Sequence, residues 1–372
     1  MPLLHKIAGV VVVLAVVLGL WLPGDPGGGR SADVARTGGN RAAGEGAPGD
    51  RAAAAATAGP SAKTSAPPSP PATVGPATPA AAAAKANELG QIPVIMYHRI
   101  VDKPDLPLDR TPKEFREELV RLAREGYVPI TAGEFAAGNI NVPAGKHPVV
   151  LTFDDSTPSH FALDPAGRPK PNTAVAIIQE VARQHPGFRA TATFYLNKDL
   201  FQLAGQEAAG LRWLMQNGFE LGNHTLTHKD LSTLPKDGVQ KEIGDMESKI
   251  VQLTGTRTAT LAYPFGSAPD KKGWAEKKDG VYGFKGVFLA GWRPSPSPYD
   301  ADFDRLAIPR VRSEGKIKEN DCEQFCSTAW LDRLNAEPAT RYTSDGDPGT
   351  ITFPRAEEDR LAKELRGRGR VY

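Results

Sequence analysis

The stretch that most restricts the fold is 149–156, Val-Val-Leu-Thr-Phe-Asp-Asp-Ser. Its apolar, β-branched opening suits a strand buried on both faces of a parallel sheet. It ends at two adjacent carboxylates, Asp154 and Asp155. Parallel α/β folds bind their ligands beyond the carboxyl ends of the strands, so the pair falls where such a fold places its chemistry. Neighbouring strand residues point to opposite faces, but at a strand end the chain turns and two carboxylates can reach one site in different roles. The plain alternative is one Asp capping the next segment and the other in solvent.

The flanking sequence agrees with that architecture. Segments 93–98, 127–130, 190–196, 218–221, 260–263 and 286–289 read as strands. Thr111 and Pro112 supply an N-cap and an N1 proline; Phe115, Leu119 and Leu122 recur at helical spacing, and Gly126 stops the helix. Thr131 caps a short turn. Further helices are expected at 172–185 and 207–217. Val239, Ile243, Met246, Ile250 and Leu253 mark another. Strand and helix alternate, which predicts one α/β domain of the barrel type over 91–336. The tail 337–372 is polar, with a helix expected only near 356–365.

The N-terminal part differs in kind. Lys6 precedes an apolar run over 7–22, so 1–22 reads as a secretory signal peptide or an uncleaved membrane anchor. No Cys comes directly after the run, so lipid attachment there is not expected. Ala, Gly, Pro, Ser and Thr dominate the next segment, and 23–90 is expected to be a disordered tether. As a coil it would reach ~45 Å. An inert spacer is the other reading. An extracytoplasmic protein in the cell envelope is expected, secreted or membrane-anchored, touching the membrane only through the N-terminal segment. A net charge of +2 gives no warrant for nucleic-acid binding. Cys322 and Cys326 are expected to form a local disulfide in a loop or at a helix end, because a bridge within one helix has poor geometry.

Three further signals lie downstream and upstream of the Asp pair. His224-Thr225-Leu226-Thr227-His228 spaces two imidazoles so that both can face one metal. The zincin pattern is excluded, because Thr225 stands where that motif needs Glu. Two His plus one carboxylate make a catalytic metal set with open positions for water and substrate. Tyr263-Pro264-Phe265-Gly266 forms a strand-end loop, and Met96-Tyr97-His98 places another His at a strand end. Taken alone, the loop reads as a turn and His98 as a core histidine.

Together these residues resemble the polysaccharide deacetylases of carbohydrate esterase family 4, the NodB homology domain, over 92–313. The resemblance rests on Thr152-Phe153-Asp154-Asp155-Ser156, His224-Thr225-Leu226-Thr227-His228 and Tyr263-Pro264-Phe265-Gly266. It implies a distorted (β/α) barrel. It implies Asp155, His224 and His228 as ligands of Zn²⁺ or another divalent metal such as Co²⁺ or Ni²⁺, and Asp154 as general base. Two positions depart from the family pattern. No His occurs after His228, where most members carry a late acid, and Ala262 stands where many have an Arg that orients the base. The 93–98 segment is similar to that of the subgroup acting on poly-β-1,6-N-acetylglucosamine, in which an early His is the acid, so His98 takes that role here. Arg310 is assigned to replace the missing Arg.

The chemistry needs the same parts. A metal polarises the amide carbonyl and acidifies water; Asp154 accepts the water proton; the backbone N–H of Phe265 helps hold the oxyanion. His98 protonates the departing amine, Pro264 and Gly266 shape the loop, and Tyr263 is a candidate oxyanion- or substrate-binding residue. Trp292 stacks on sugar or walls the methyl pocket, with a core aromatic as the plain reading. The expected activity is metal-dependent N-deacetylation of an N-acetylglucosamine polysaccharide: poly-β-1,6-linked, chitin-like or peptidoglycan. The partner is the acetylated polysaccharide, and the protein is expected to be a monomer. The alternatives are an O-acetyl esterase on xylan or cell-wall glycan, a non-catalytic carbohydrate-binding module, and an iron oxygenase with a two-His-one-carboxylate triad.

Overall fold

The computed structural model of the protein describes residues 73–372. The expected signal or anchor at 1–22 and most of the expected tether therefore lie outside the described residues. Eight strands build the main sheet: β1 (Val94–Tyr97), β2 (Tyr127–Ile130), β3 (His147–Phe153), β4 (Thr193–Leu196), β5 (Glu220–Asn223), β6 (Thr260–Ala262), β7 (Gly286–Phe288) and β8 (Val311–Arg312). The longer helices are α1 (Pro112–Arg124), α2 (Ala174–Gln184), α3 (Glu207–Gln216), α4 (Lys236–Thr254) and α5 (Ser327–Ala336).

Every pairing within this sheet is parallel, in the order β7-β6-β5-β4-β3-β1-β8. The start of β3 pairs with β2 (Tyr127 opposite His147) and its later part with β1 (Val94 opposite Val150). The sheet curls until its edge regions meet through isolated bridges, Phe288 to Ile308 and Trp292 to Val311. This is the distorted (β/α) barrel expected from the sequence.

β3 shows why the local sequence folds this way. All of its residues are buried. Val149, Leu151 and Phe153 pack with the helix-facing layer, where Phe115, Leu119 and Leu122 of α1 and Ile177, Ile178 and Val181 of α2 lie. Val150 packs instead with Val94, Tyr195, Ala262 and Phe288 inside the curl. The two-residue period of a strand therefore puts Thr152, and Asp154 beyond it, on the inner side. Phe153 stacks on Tyr97 and Phe194, each with centroids 5.0 Å away. Truncating such a buried ring to Ala costs about 3–5 kcal/mol. α1 begins with the expected cap: Thr111 accepts from the Glu114 N–H, and the Glu114 carboxylate accepts from the Thr111 N–H, a full capping box.

Two expected boundaries are corrected. The tether does not extend to residue 90. Residues Gly75–Pro76 form a strand, Pro79–Ala83 form a helix capped by Thr78, and Ala81, Ala86 and Leu89 are buried. The C-terminal part is not a loose polar tail either. Ile351–Phe353 and Gly369–Val371 join Gly75–Pro76 in a parallel three-stranded sheet. In place of one helix near 356–365, two 3-10 segments occur, Arg355–Arg360 and Lys363–Arg368. The reason is long-range pairing, such as Gly75 with Arg370 and Pro76 with Val371. A polar, Ala-rich composition carries no local sign of partners so distant in sequence.

The cysteines are bridged as expected. Cys322 opens the short helix Cys322–Phe325, and Cys326 leaves helical geometry with φ −88° and ψ 174°. Among the described residues no helix is long and apolar enough to cross a membrane.

Candidate active site

The ends of β3 and β5 supply the centre of the site. After Phe153 the chain turns sharply, with Asp155 at φ 74° and Ser156 at φ 44°. The β5 end is similar, with Thr225 at φ 63° and His228 at φ 57°. Left-handed backbone at non-glycine residues is costly and clusters where surrounding structure enforces it, often at functional sites. Here it turns the segments so that Asp155, His224 and His228 each bring one donor atom within 4.8 Å of the others. His224 Nε2 lies 3.6 Å and His228 Nε2 3.4 Å from Asp155 Oδ1.

These three residues fit a divalent metal by donor chemistry as well as spacing. His224 Nδ1–H donates to the Ala262 carbonyl at 2.8 Å, which leaves Nε2 unprotonated and facing Asp155. Burial lowers the His224 pKa, against the opposing pull of Asp154 and Asp155. A neutral imidazole is the form that binds metal. The loop is held from behind: Thr225 N–H donates to Asn223 Oδ1 at 2.9 Å, and Glu242 accepts from Thr227 N–H at 2.9 Å. Sequence patterns do not point to Asn223 or Glu242. Glu242 lies on α4 and Asn223 donates to Glu247 of the same helix, so no short spacing links either to the motif.

Asp154 is held differently. It is 2% exposed and takes a two-pronged bond from Arg310, Nη1 to Oδ1 at 2.8 Å and Nη2 to Oδ2 at 2.7 Å. Burial alone would raise its pKa. The Arg310 charge and hydrogen bonds, with His224 nearby, outweigh this and hold the carboxyl well below the usual range. Arg310 is itself fully buried, and it also donates to Thr152 Oγ1 at 3.2 Å and the Leu289 carbonyl at 2.6 Å. It reaches Asp154 from just before β8 rather than from position 262.

His98 sits at the end of β1 with Nε2 4.0 Å from Asp155 Oδ2. Its backbone carbonyl accepts from buried His160 Nε2–H at 2.7 Å, while its own Nδ1 has no hydrogen-bond partner among the described residues. Phe265 is left-handed at φ 58° and largely exposed, and its ring meets His228 edge-on with centroids 4.6 Å apart. Tyr263 is buried, its hydroxyl unpaired among the described residues, and burial raises its pKa. These groups line one cavity of about 590 Å³ with Met96, Arg99, Leu106, Ala290, Arg312 and Glu314. Asp154, Asp155, His98, His224, His228, Tyr263, Phe265 and Arg310 are thus brought together. Trp292 is not among the lining residues; it lies exposed beyond Ala290.

The family model for polysaccharide deacetylase matches residues 141–284, which hold the Asp pair, both His ligand candidates and the Pro264 loop. Residues 141–284 are therefore similar to the polysaccharide deacetylases. Similar solved structures include a deacetylase from Streptococcus pyogenes in complex with acetate, at 24% identity and TM-score 0.49, covering 61% of this chain and 94% of that one. A polysaccharide deacetylase from Bacillus cereus matches at 24% identity and TM-score 0.49, covering 63% of this chain and 67% of that one. A gellan lyase from a Bacillus species is 44% identical over 57 residues, 15% of this chain; the chain spans 2% of that relative's length. His98 precedes the matched region, and Trp292 and Arg310 lie beyond its end.

Proposed function

We propose that this protein is an extracytoplasmic, divalent-metal-dependent hydrolase that removes N-acetyl groups from a polysaccharide containing N-acetylglucosamine. The observation that carries the reading is the convergence of Asp155, His224 and His228 beside Asp154, which Arg310 grips through two hydrogen bonds. A sugar-binding module needs no such base. The Asp155 carboxylate and the Nε2 atoms of His224 and His228 would hold the metal. The chemistry supplied there when the ion is bound is polarisation of the acetyl carbonyl and acidification of a water.

The chain's own residues do the rest. The Arg310 guanidinium holds the Asp154 carboxyl well below the usual carboxylate range, which favours the form that can accept the proton of the attacking water. The Arg310 fork fixes its orientation and limits its basicity, which suits a water already acidified. The Phe265 N–H is assigned to the oxyanion. His98 reaches the site from the end of β1, a different strand end from the two ligand imidazoles, and donates a proton to the amine nitrogen as the C–N bond breaks. Amine anions are poor leaving groups, so this proton is required. An acid on the early strand is similar to the subgroup acting on poly-β-1,6-N-acetylglucosamine, which supports that substrate beside chitin-like glycan and peptidoglycan. The disulfide fits an oxidising compartment.

The test is acetate release from β-1,6 and β-1,4 N-acetylglucosamine oligomers and from acetylated xylan, with and without a chelator. Chelator-sensitive release from the glucosamine oligomers is expected, and release from xylan alone would replace this reading with an O-acetyl esterase. Asp155→Ala is expected to lose metal uptake by elemental analysis of the purified chain. Full metal occupancy in that variant would overturn the ligand assignment.

A further inference from the structure

We infer that Trp292 is a sugar-stacking subsite next to the catalytic cavity, held in place by Trp330, so that the protein recognises the sugar adjoining the one it acts on. This rests on the proposed glycan substrate. Three large hydrophobic side chains are more than half exposed among the described residues: Leu106, Phe265 and Trp292. Two of them, Leu106 and Phe265, line the catalytic cavity. Trp292 is 60% exposed and pairs with Val311, between the cavity residues Arg310 and Arg312. Trp292 is thus tied through Val311 to a strand end that carries two cavity residues, and it leaves an apolar ring open to solvent there.

The position suits a neighbouring sugar. Ala290 lines the cavity and Trp292 comes two residues later, where it bridges to Val311, a step of at most about 7 Å. That is a displacement on the scale of one pyranose ring. The C–H-rich face of a pyranose packs on an aromatic plane, and an indole open to solvent beside a glycan site offers that plane.

The subsite is also braced, which a stray surface aromatic would not be. The Trp330 indole N–H donates to the Trp292 carbonyl at 2.7 Å. Arg333 lies over the Trp330 ring, 4.1 Å from its centroid. Trp330 belongs to α5, whose start is fixed by the Cys322–Cys326 bridge and by Ser327 Oγ donating to buried Glu118. Cys326 in turn bridges to Arg312 of β8. Trp330 is therefore a positioning residue for Trp292.

The experiment is calorimetric binding of N-acetylglucosamine monomer and of β-1,6 and β-1,4 tetramers to the full chain, alongside Trp292→Ala, Trp292→Phe and Trp330→Phe. Trp292→Ala is expected to weaken tetramer binding at least tenfold and monomer binding by less than twofold. Trp292→Phe should retain most of the affinity, and Trp330→Phe should fall between. Unchanged tetramer binding in Trp292→Ala, or equal losses on monomer and tetramer, would overturn the subsite. Binding is read without hydrolysis, so tetramer binding with no acetate release would fail the proposed activity and leave this measurement decisive for Trp292.

Discussion

Arg310 and Asp154 are 156 positions apart in sequence, yet both are buried and share two hydrogen bonds. Removing one partner of a buried ion pair leaves the other charge uncompensated, at about 3–5 kcal/mol. Arg310→Met is therefore expected to lower unfolding stability by that amount, and to cut acetate release at least tenfold because Asp154 then favours its protonated form. Arg310→Lys keeps a charge but not the planar fork. It should recover part of the stability and little of the rate. Chemical denaturation and acetate assays check both, and a fully active Arg310→Met would remove Arg310 from the site. At this scale the candidate ligands are legible because each motif is short: two carboxylates in a row and two imidazoles four apart. Arg310 can be named only by matching it to a missing residue, since nothing near it in sequence announces Asp154. The same holds for Asn223 and Glu242, whose hydrogen bonds join the end of β5 to α4.

Among elements, the strands and helices with clear periodicity are legible to within a few residues. β2 is Tyr127–Ile130 as expected, and α3 is Glu207–Gln216 against an expected 207–217. β8 escapes a sequence reading because two residues, Val311 and Arg312, carry no pattern of their own; pairing with Ile95 and Met96 makes them a strand. The terminal segments mislead for a related reason. Their apolar residues are sparse, but Tyr342, Ile351, Phe353 and Val371 are all buried in one cluster with Leu89, Val94 and Val150. A chain ending at residue 336 would expose the inner layer of the barrel to water. We expect that truncation to be insoluble or to lose cooperative thermal unfolding, although it retains every candidate active-site residue. Normal melting of the 1–336 chain would show instead that the C-terminal sheet is an accessory.

For the molecule as a whole, pH acts at the seam where the terminal segments meet the barrel. Tyr342 stands at its centre: its carbonyl accepts from His147 Nδ1–H at 2.8 Å, and its hydroxyl donates to Glu88 at 2.9 Å. Burial, aided by the Arg341 charge, lowers the His147 pKa to about 4. Burial, aided by Asp345, raises Glu88 to about 8, outweighing the hydrogen bonds from Thr352 and Tyr342. The unfolded chain binds more protons than the fold at His147, so that contribution is complete above pH ~6.5 and is lost as pH falls toward 4. The fold binds more protons than the unfolded chain at Glu88, so that contribution is complete below pH ~4.5 and is lost as pH rises toward 8. Each change is on the order of a few kcal/mol across its window. His147→Asn keeps a donor for the Tyr342 carbonyl but cannot ionise, so its melting temperature relative to the parent should climb as pH drops from 6.5 to 4. Glu88→Gln should climb relative to the parent as pH rises from 4.5 to 8. Thermal melts of the three chains across pH 4–8 check both slopes. Parallel curves for a variant and the parent would show that its residue does not titrate with folding, and would move the pH response of the fold away from this seam.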